Sequence, residues 1–171
     1  YTIYMLTKKP ALEDYVTKNL RAIVLSASSG QKIAETRDAI IKEFEDGGKT
    51  EAKFEELAKY YSQDSEAHEN GGLYKNQGKG ELAVEELTDW LFSADRKAGD
   101  YTSVSNGKTG TEEIIYIVYY TGEGMIKWQR DADNALVQEA YEAEYTKLEA
   151  THKVETSLKN AYKIPAQAGL E

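Results

Sequence analysis

The side chains best suited to chemistry stand close together, where Asp64, Glu66, His68 and Glu69 precede two consecutive glycines. A carboxylate in such a segment could polarise a substrate, and the cluster could also hold a cation. Its spacing, however, lacks the alternating ligands and central glycine of a calcium loop. Because the chain has only 2 histidines and no cysteine, we expect no metal site and no cofactor. The plainer interpretation of Asp64 is a turn-forming or capping residue.

An amphipathic helix must position this acidic segment. Phe54, Leu57, Ala58 and Tyr61 stand at positions i, i+3, i+4 and i+7, which places them on one face of a helix. The double glycine at the other end of the segment permits backbone angles that are closed to other residues. The pattern therefore predicts a helix, a loop that carries Asp64, and a sharp change of direction.

Helix, acidic segment and double glycine together resemble the parvulin family of peptidyl-prolyl isomerases, which carries the pattern F-x-x-L-A-x-x-Y-S-x-D-x-x-S-A-x-x-G-G. This chain departs from the pattern at the Ser-Ala pair, where it has Ala67 and His68. The resemblance covers residues 20–122. The matching positions are Phe54, Leu57, Ala58, Tyr61, Ser62, Asp64, Gly71 and Gly72.

The resemblance implies the catalytic residues. Parvulins pair an acid or cysteine of the loop with two histidines on the central strands. Here the acid is Asp64, and the two histidine positions hold Ala22 and Tyr116. We therefore expect Asp64 and Tyr116 to be the catalytic residues. They would form the polar floor of the substrate site, with fewer polar groups than in the family, and Ala22 would lie beneath the bound substrate.

The resemblance also implies the substrate-binding residues Ala83, Leu87 and Phe92, together with Ala22. The family's pocket methionine and phenylalanine are replaced by Ala83 and Leu87, and Phe92 alone matches the family. Loss of both histidines and of pocket bulk implies that isomerase turnover is weak or lost. The enzyme class, peptidyl-prolyl cis/trans isomerase, thus comes from the resemblance, and the substitutions argue against full activity.

The remaining elements fit an α+β fold with a parvulin-like antiparallel sheet of about four strands covered by helices, followed by a long C-terminal helix. Asn106-Gly107 favours a tight reversal between two strands, and a fourth strand would have to follow Gly72. We predict helices over residues 10–16, 33–44, 54–61, 84–91 and 128–150, and strands over 22–25, 101–104, 114–120 and, in the tail, 154–158.

Composition limits the architecture and the partners. With 171 residues, of which 40% are hydrophobic, the chain can form one compact core and an appendage. We predict the end of an N-terminal helical segment at 1–19, a parvulin-like domain at 20–122, and the helix and tail of a chaperone-type module at 123–171. The net charge of -9 argues against nucleic acid or an anionic membrane as the main partner.

The flanking segments resemble those of extracytoplasmic foldases of the PrsA and SurA type. This implies an exported foldase or chaperone that binds unfolded or proline-containing polypeptides. Because the sequence starts at Tyr1 rather than methionine, we expect a processed chain, with any lipid anchor upstream, and the C-terminal helix offers a surface for a homo-oligomer. An active isomerase, a non-catalytic chaperone of the same fold, and an interaction module of the cell envelope all stay open.

Overall fold

The computed structural model describes residues 12–27 and 32–151. The described chain divides into two compact units, one up to Asp131 and one from Ala132 onward. The strands are β1 (Val16–Ser26), β2 (Leu73–Gln77), β3 (Tyr101–Ser105) and β4 (Ile114–Ile126), and the helices are α1 (Ile33–Asp46), α2 (Glu51–Tyr61), α3 (Ser65–Asn70), α4 (Glu85–Leu91) and α5 (Lys127–Thr151), with a 3-10 turn at Gly110–Glu112.

One antiparallel sheet in the order β2-β1-β4-β3 organises the first unit. The central pair β1 and β4 keeps Ile23 opposite Ile117 and Val24 opposite Tyr116. The predicted fourth strand is β2, which starts directly after Gly72. This sheet, its covering helices and the long α5 confirm the predicted α+β, parvulin-like fold class.

Alternation along the strands sends side chains to the two faces of the sheet. On one face, Ile23, Leu25 and Ile117 pack with Phe44 of α1 and Phe54 of α2. The two phenylalanine rings meet edge to face at 5.4 Å between centroids. Each such fully buried side chain contributes about 1.5–3 kcal/mol relative to exposure, so this face is the principal core.

The other face carries α4. Leu20 and Ala22 of β1 lie in one buried cluster with Val118 of β4 and with Leu87 and Leu91 of α4. Since α4 has only 7 residues, it covers part of this face and leaves the area around β2 open. The site lies in that opening.

The predicted helix over 10–16 is wrong where the structure describes it. Pro10 and Ala11 fall outside the described residues, Leu12 to Asp14 are irregular, and Val16 begins β1. The reason is tertiary pairing, because Val16 lies opposite Ile126 of β4. The Tyr15 carbonyl next to it accepts a hydrogen bond from the Lys127 N–H at 2.8 Å.

The hairpin of β3 and β4 exists, but Asn106-Gly107 does not form a two-residue reversal. The connection spans residues 106–113 and contains the 3-10 turn. Asn106 closes it instead through its side chain, whose Oδ1 accepts from the N–H groups of Lys108 and Ile114, both at 3.1 Å. A side-chain acceptor thus replaces the tight turn.

The segment predicted as a loop around Asp64 holds a further helix, α3. Asp64 caps its N-terminus, since its Oδ1 accepts from the Glu66 N–H at 3.1 Å. Gly71 ends it in the left-handed conformation, with φ of 65°. The long helix predicted over 128–150 is confirmed as α5, and the predicted strand 154–158 falls outside the described residues.

Candidate functional site

A groove with a volume of about 220 Å³ lies on the face of the sheet beside α4. Leu20, Ala22 and Val24, which alternate along β1, form its apolar floor. The walls come from the segment that leads into α4 and from neighbouring strands, and consist of Leu82, Ala83, Leu87, Tyr74, Gln77, Glu81 and Tyr116.

The predicted site residues gather at this groove. Ala22, Ala83, Leu87 and Tyr116 line it directly. Tyr116 enters from β4, where it is paired with Val24. Asp64 and Phe92 do not line the groove. Asp64 reaches it through Tyr74, which does.

Tyr74 is the partner of Asp64. The Tyr74 hydroxyl donates a hydrogen bond to the Oδ2 atom of Asp64. Burial, followed by the hydrogen bond to Asp64, raises the pKa of Tyr74 well above its ordinary value. The phenol therefore keeps its proton and stays directed at the carboxylate.

Phe92 ends α4 and packs against Tyr15, with ring centroids 5.8 Å apart in an edge-to-face arrangement. The Lys79 ammonium lies 5.5 Å from the Phe92 ring and 5.1 Å from the Tyr15 ring. Tyr15 comes from the segment before β1 and also accepts a hydrogen bond from the Lys79 N–H at 2.9 Å. Phe92 therefore anchors this segment and the loop after β2, next to the groove.

The double glycine is tied to β1 beneath the groove. Arg21 is 8% exposed, and its Nη1 donates to the carbonyls of Asn70 at 3.1 Å and Gly71 at 2.9 Å. The Ala22 N–H donates to the Gly72 carbonyl at 2.8 Å. These bonds fix the start of β2, and with it the position of Tyr74.

Glu81 lines the groove and fixes the loop after β2 through its hydrogen bonds. Its carboxylate accepts from the Gly78 N–H at 2.7 Å and from both terminal nitrogens of Arg130 at 2.6 and 2.7 Å. Chiefly the hydrogen bonds from Arg130 lower the pKa of Glu81 to about 2. A bidentate pair of this kind fixes direction as well as distance, so the loop after β2 is clamped to the first turn of α5.

Several groove residues escape prediction from the sequence. Leu20 and Val24 could have been found, because they stand two residues either side of Ala22 on the same face of a strand. Tyr74 could have been found only with β2 in place, since its neighbour Leu20 belongs to a distant part of the chain. Gln77 and Glu81 have no local signal that separates them from ordinary loop residues.

Residues 20–118 match the family model described as rotamase, PPIC-type PPIase domain. The match spans more than half of the 171 residues. The chain belongs to this family. The predicted family is thereby confirmed, and proline-containing polypeptides are the substrate class that membership implies.

The chain is similar to the 1.70 Å crystal structure of the peptidylprolyl isomerase PrsA from Bacillus anthracis, at 24% sequence identity and a TM-score of 0.43. The similarity covers 77% of this chain and 52% of that one. The chain thus spans about half the length of that protein. No curated protein matches the chain.

The chemistry open to this groove follows from the reaction. A prolyl bond isomerises over a barrier of roughly 18–20 kcal/mol because twisting breaks amide resonance. Catalysis requires tighter binding of the twisted amide than of either planar isomer. The groove offers an apolar floor, the Tyr74 hydroxyl bonded to Asp64, and the polar side chains of Tyr116, Gln77 and Glu81 in its walls. Among the described residues no group of three or more His, Cys, Asp or Glu side chains is placed to hold a metal ion.

Proposed function

We propose that the groove binds proline-containing segments of unfolded polypeptides and that the protein is a foldase or chaperone whose isomerase turnover is weak or lost. The carrying observation is the groove itself, with its apolar floor of Leu20, Ala22 and Val24. Proline brings an apolar ring and no N–H, and therefore suits such a floor. Family membership supports the same substrate class.

The side chains at the floor support the proposal of weak turnover. Ala22 offers no polar atom to the substrate, and Tyr74 commits its proton to Asp64. His68, the histidine within the described residues, lies exposed on α3 with its ring Nδ1 2.7 Å from the Lys59 carbonyl. The floor thus favours binding over selective stabilisation of the twisted amide.

Client binding can be tested by placing a charge in the groove. Leu87 is 3% exposed, so Leu87→Asp would weaken binding and also destabilise the fold. Leu82 is half-buried and lines the groove. We expect Leu82→Asp to reduce suppression of aggregation of an unfolded client several-fold, because the charge must be desolvated on contact. Asp64→Ala should change it little, since an extended client binds mainly through apolar contact.

Leu73→Asp is the matched control. Leu73 is also half-buried, but it stands opposite Arg21 on the other face of β2. Equal loss of suppression in the Leu82 and Leu73 variants, with both variants folded, would show that the groove is not the client site.

We further propose an extracytoplasmic protein with a lipid anchor upstream of this chain. The cysteine-free composition is compatible with export. Recovery of the native protein in the cytosolic fraction would refute this. The domain division at residues 20–122 and 123–171 also stays a proposal.

The C-terminal helix, by itself, carries an exposed apolar row that includes Val137, Tyr141, Tyr145 and Leu148. The spacing of these residues follows a helical face. We propose it as a contact surface for a homo-oligomer. A monomeric mass by light scattering at high protein concentration would refute this proposal.

A further inference from the structure

Tyr74 of the first unit both lines the groove and makes a hydrogen bond outside it. Its side chain lines the groove, and its hydroxyl donates to Asp64, which itself lies outside the groove lining. Asp64 is held from both sides, because its Oδ1 accepts from the Glu66 N–H at 3.1 Å and its own N–H donates to the Ser62 hydroxyl at 3.3 Å. The Tyr74 hydroxyl is therefore bonded to a fixed acceptor.

The direction of this hydrogen bond decides what the groove offers to a ligand. An ionised carboxylate can only accept, and a phenol has one proton to give. Since the Tyr74 proton is committed to Asp64, the phenol oxygen presents lone pairs to any further partner. Tyr74 is then an acceptor at the groove and not a donor.

We propose that Tyr74 is a polar group of the groove that contacts the bound peptide, accepting an N–H from a residue next to proline, and that Asp64 is a positioning residue acting through Tyr74. The inference rests on the proposed function and deepens it. Proline has no N–H, so the donor must come from a flanking residue. Beside the apolar floor, an N–H without a partner would carry a desolvation cost.

Asp64→Asn separates this role from simple helix capping. Asn is as good an N-cap as Asp, so its Oδ1 can stay on the Glu66 N–H. The amide nitrogen then faces Tyr74 and donates to it, which turns the hydroxyl proton away from residue 64 and leaves the oxygen a weaker acceptor for a peptide N–H. The capping function is kept while the hydrogen-bond polarity at the groove is changed.

The test uses the full chain and a blocked tetrapeptide, Ala-Ala-Pro-Ala, with affinity measured by titration of backbone amide NMR shifts. We expect Tyr74→Phe and Asp64→Asn each to weaken binding about two- to tenfold, the effect of losing one hydrogen bond. The double variant should bind no more weakly than Tyr74→Phe alone. Thermal unfolding of Asp64→Asn should stay close to that of the unsubstituted chain.

A second arm changes the peptide. Replacing the N–H of each residue next to proline in turn by an ester oxygen should, at one of the two positions, weaken binding to the unsubstituted chain by a similar factor. The same ester should bind Tyr74→Phe as well as the parent peptide does. If Tyr74 had only a structural role, the ester would not weaken binding to the unsubstituted chain while leaving binding to Tyr74→Phe unchanged.

Leu82→Asp distinguishes the possible failures. If it leaves peptide affinity unchanged, or if no groove amide shifts on titration, both the proposed function and this inference are overturned. If Leu82→Asp weakens binding while Tyr74→Phe and Asp64→Asn bind like the unsubstituted chain, the inference alone fails. Additive losses in the double variant would also overturn it, because Asp64 would then act independently of Tyr74.

Discussion

At the scale of single residues, Gly72 determines how closely β2 approaches β1. Its φ is +70°, and a Cβ built on it would lie 2.3 Å from the Ala22 carbonyl oxygen, which is backbone and cannot move aside. Ala22 is also the centre of the groove floor. A side chain at Gly72 would therefore force apart the two strands that carry Ala22 and Tyr74.

We expect Gly72→Ala to destabilise the protein by about 2–5 kcal/mol, since the left-handed backbone costs an alanine about 1–2 kcal/mol and the steric clash adds about 1–3 kcal/mol. Gly80→Ala is the matched control, because Gly80 has a φ of +76° with open space around it. Gly80→Ala should lose only the stability that the left-handed backbone costs, without a clash. Urea unfolding measures both, and equal losses would show that the close approach to Ala22 does not matter.

The sequence predicted several residues that line the groove, but not the contacts between them. Ala22, Leu87 and Tyr116 could be assigned to one groove because the family alignment shows which positions line it. The alignment does not show which of these side chains contact each other. The bond from Tyr74 to Asp64 joins two residues whose proximity depends on the backbone between α3 and β2. No periodicity encodes that bond, and this is why Asp64 was expected to line the groove itself.

At the scale of elements, the loop between β2 and α4 is held by Glu81 and Arg130. The folded-state pKa of Glu81, about 2, lies below its ordinary value of 4.5. The stabilisation is therefore fully present above about pH 4.5 and lost as pH falls toward 2. Because the pair is partly exposed to solvent, we expect about 1 kcal/mol from it.

Glu81→Gln should accordingly lower the free energy of unfolding by about 1 kcal/mol at neutral pH, and the difference should shrink between about pH 4.5 and pH 2. Denaturant unfolding at several pH values measures this, with Glu139→Gln on the exposed part of α5 as control. A difference that persists unchanged to pH 2 would contradict the ion pair.

Elements with a strong apolar periodicity were predictable from the sequence, whereas α3 and the first half of β1 were not. The apolar spacing of α1 and α2 indicates helices, and the β-branched run of β4 indicates a strand. α3, with sequence SEAHEN, buries only Ala67, so it has no apolar face to read and depends on its two caps. The first half of β1 is polar in sequence and becomes a strand because it pairs with the end of β4.

At the scale of the whole molecule, the first unit contains the described residues that line the groove and the two cations that pair with Glu81. A chain ending after Gln138 keeps Lys127, Arg130 and two further turns of α5. We expect it to unfold within a few degrees of the full chain, whereas a chain ending after Ile126 should melt clearly lower because Glu81 loses both cations. Calorimetry checks this, and equal melting of the two short chains would contradict it.

Exchange NMR on a proline peptide tests the central claim most directly, because one titration reports where the peptide binds and how fast its prolyl bond isomerises. We predict shift changes at groove residues, and a cis–trans exchange that stays close to the uncatalysed time of about 10–100 s. Exchange as fast as an intact parvulin produces, abolished by Asp64→Ala, would contradict this account, as would binding that leaves the groove amides unshifted.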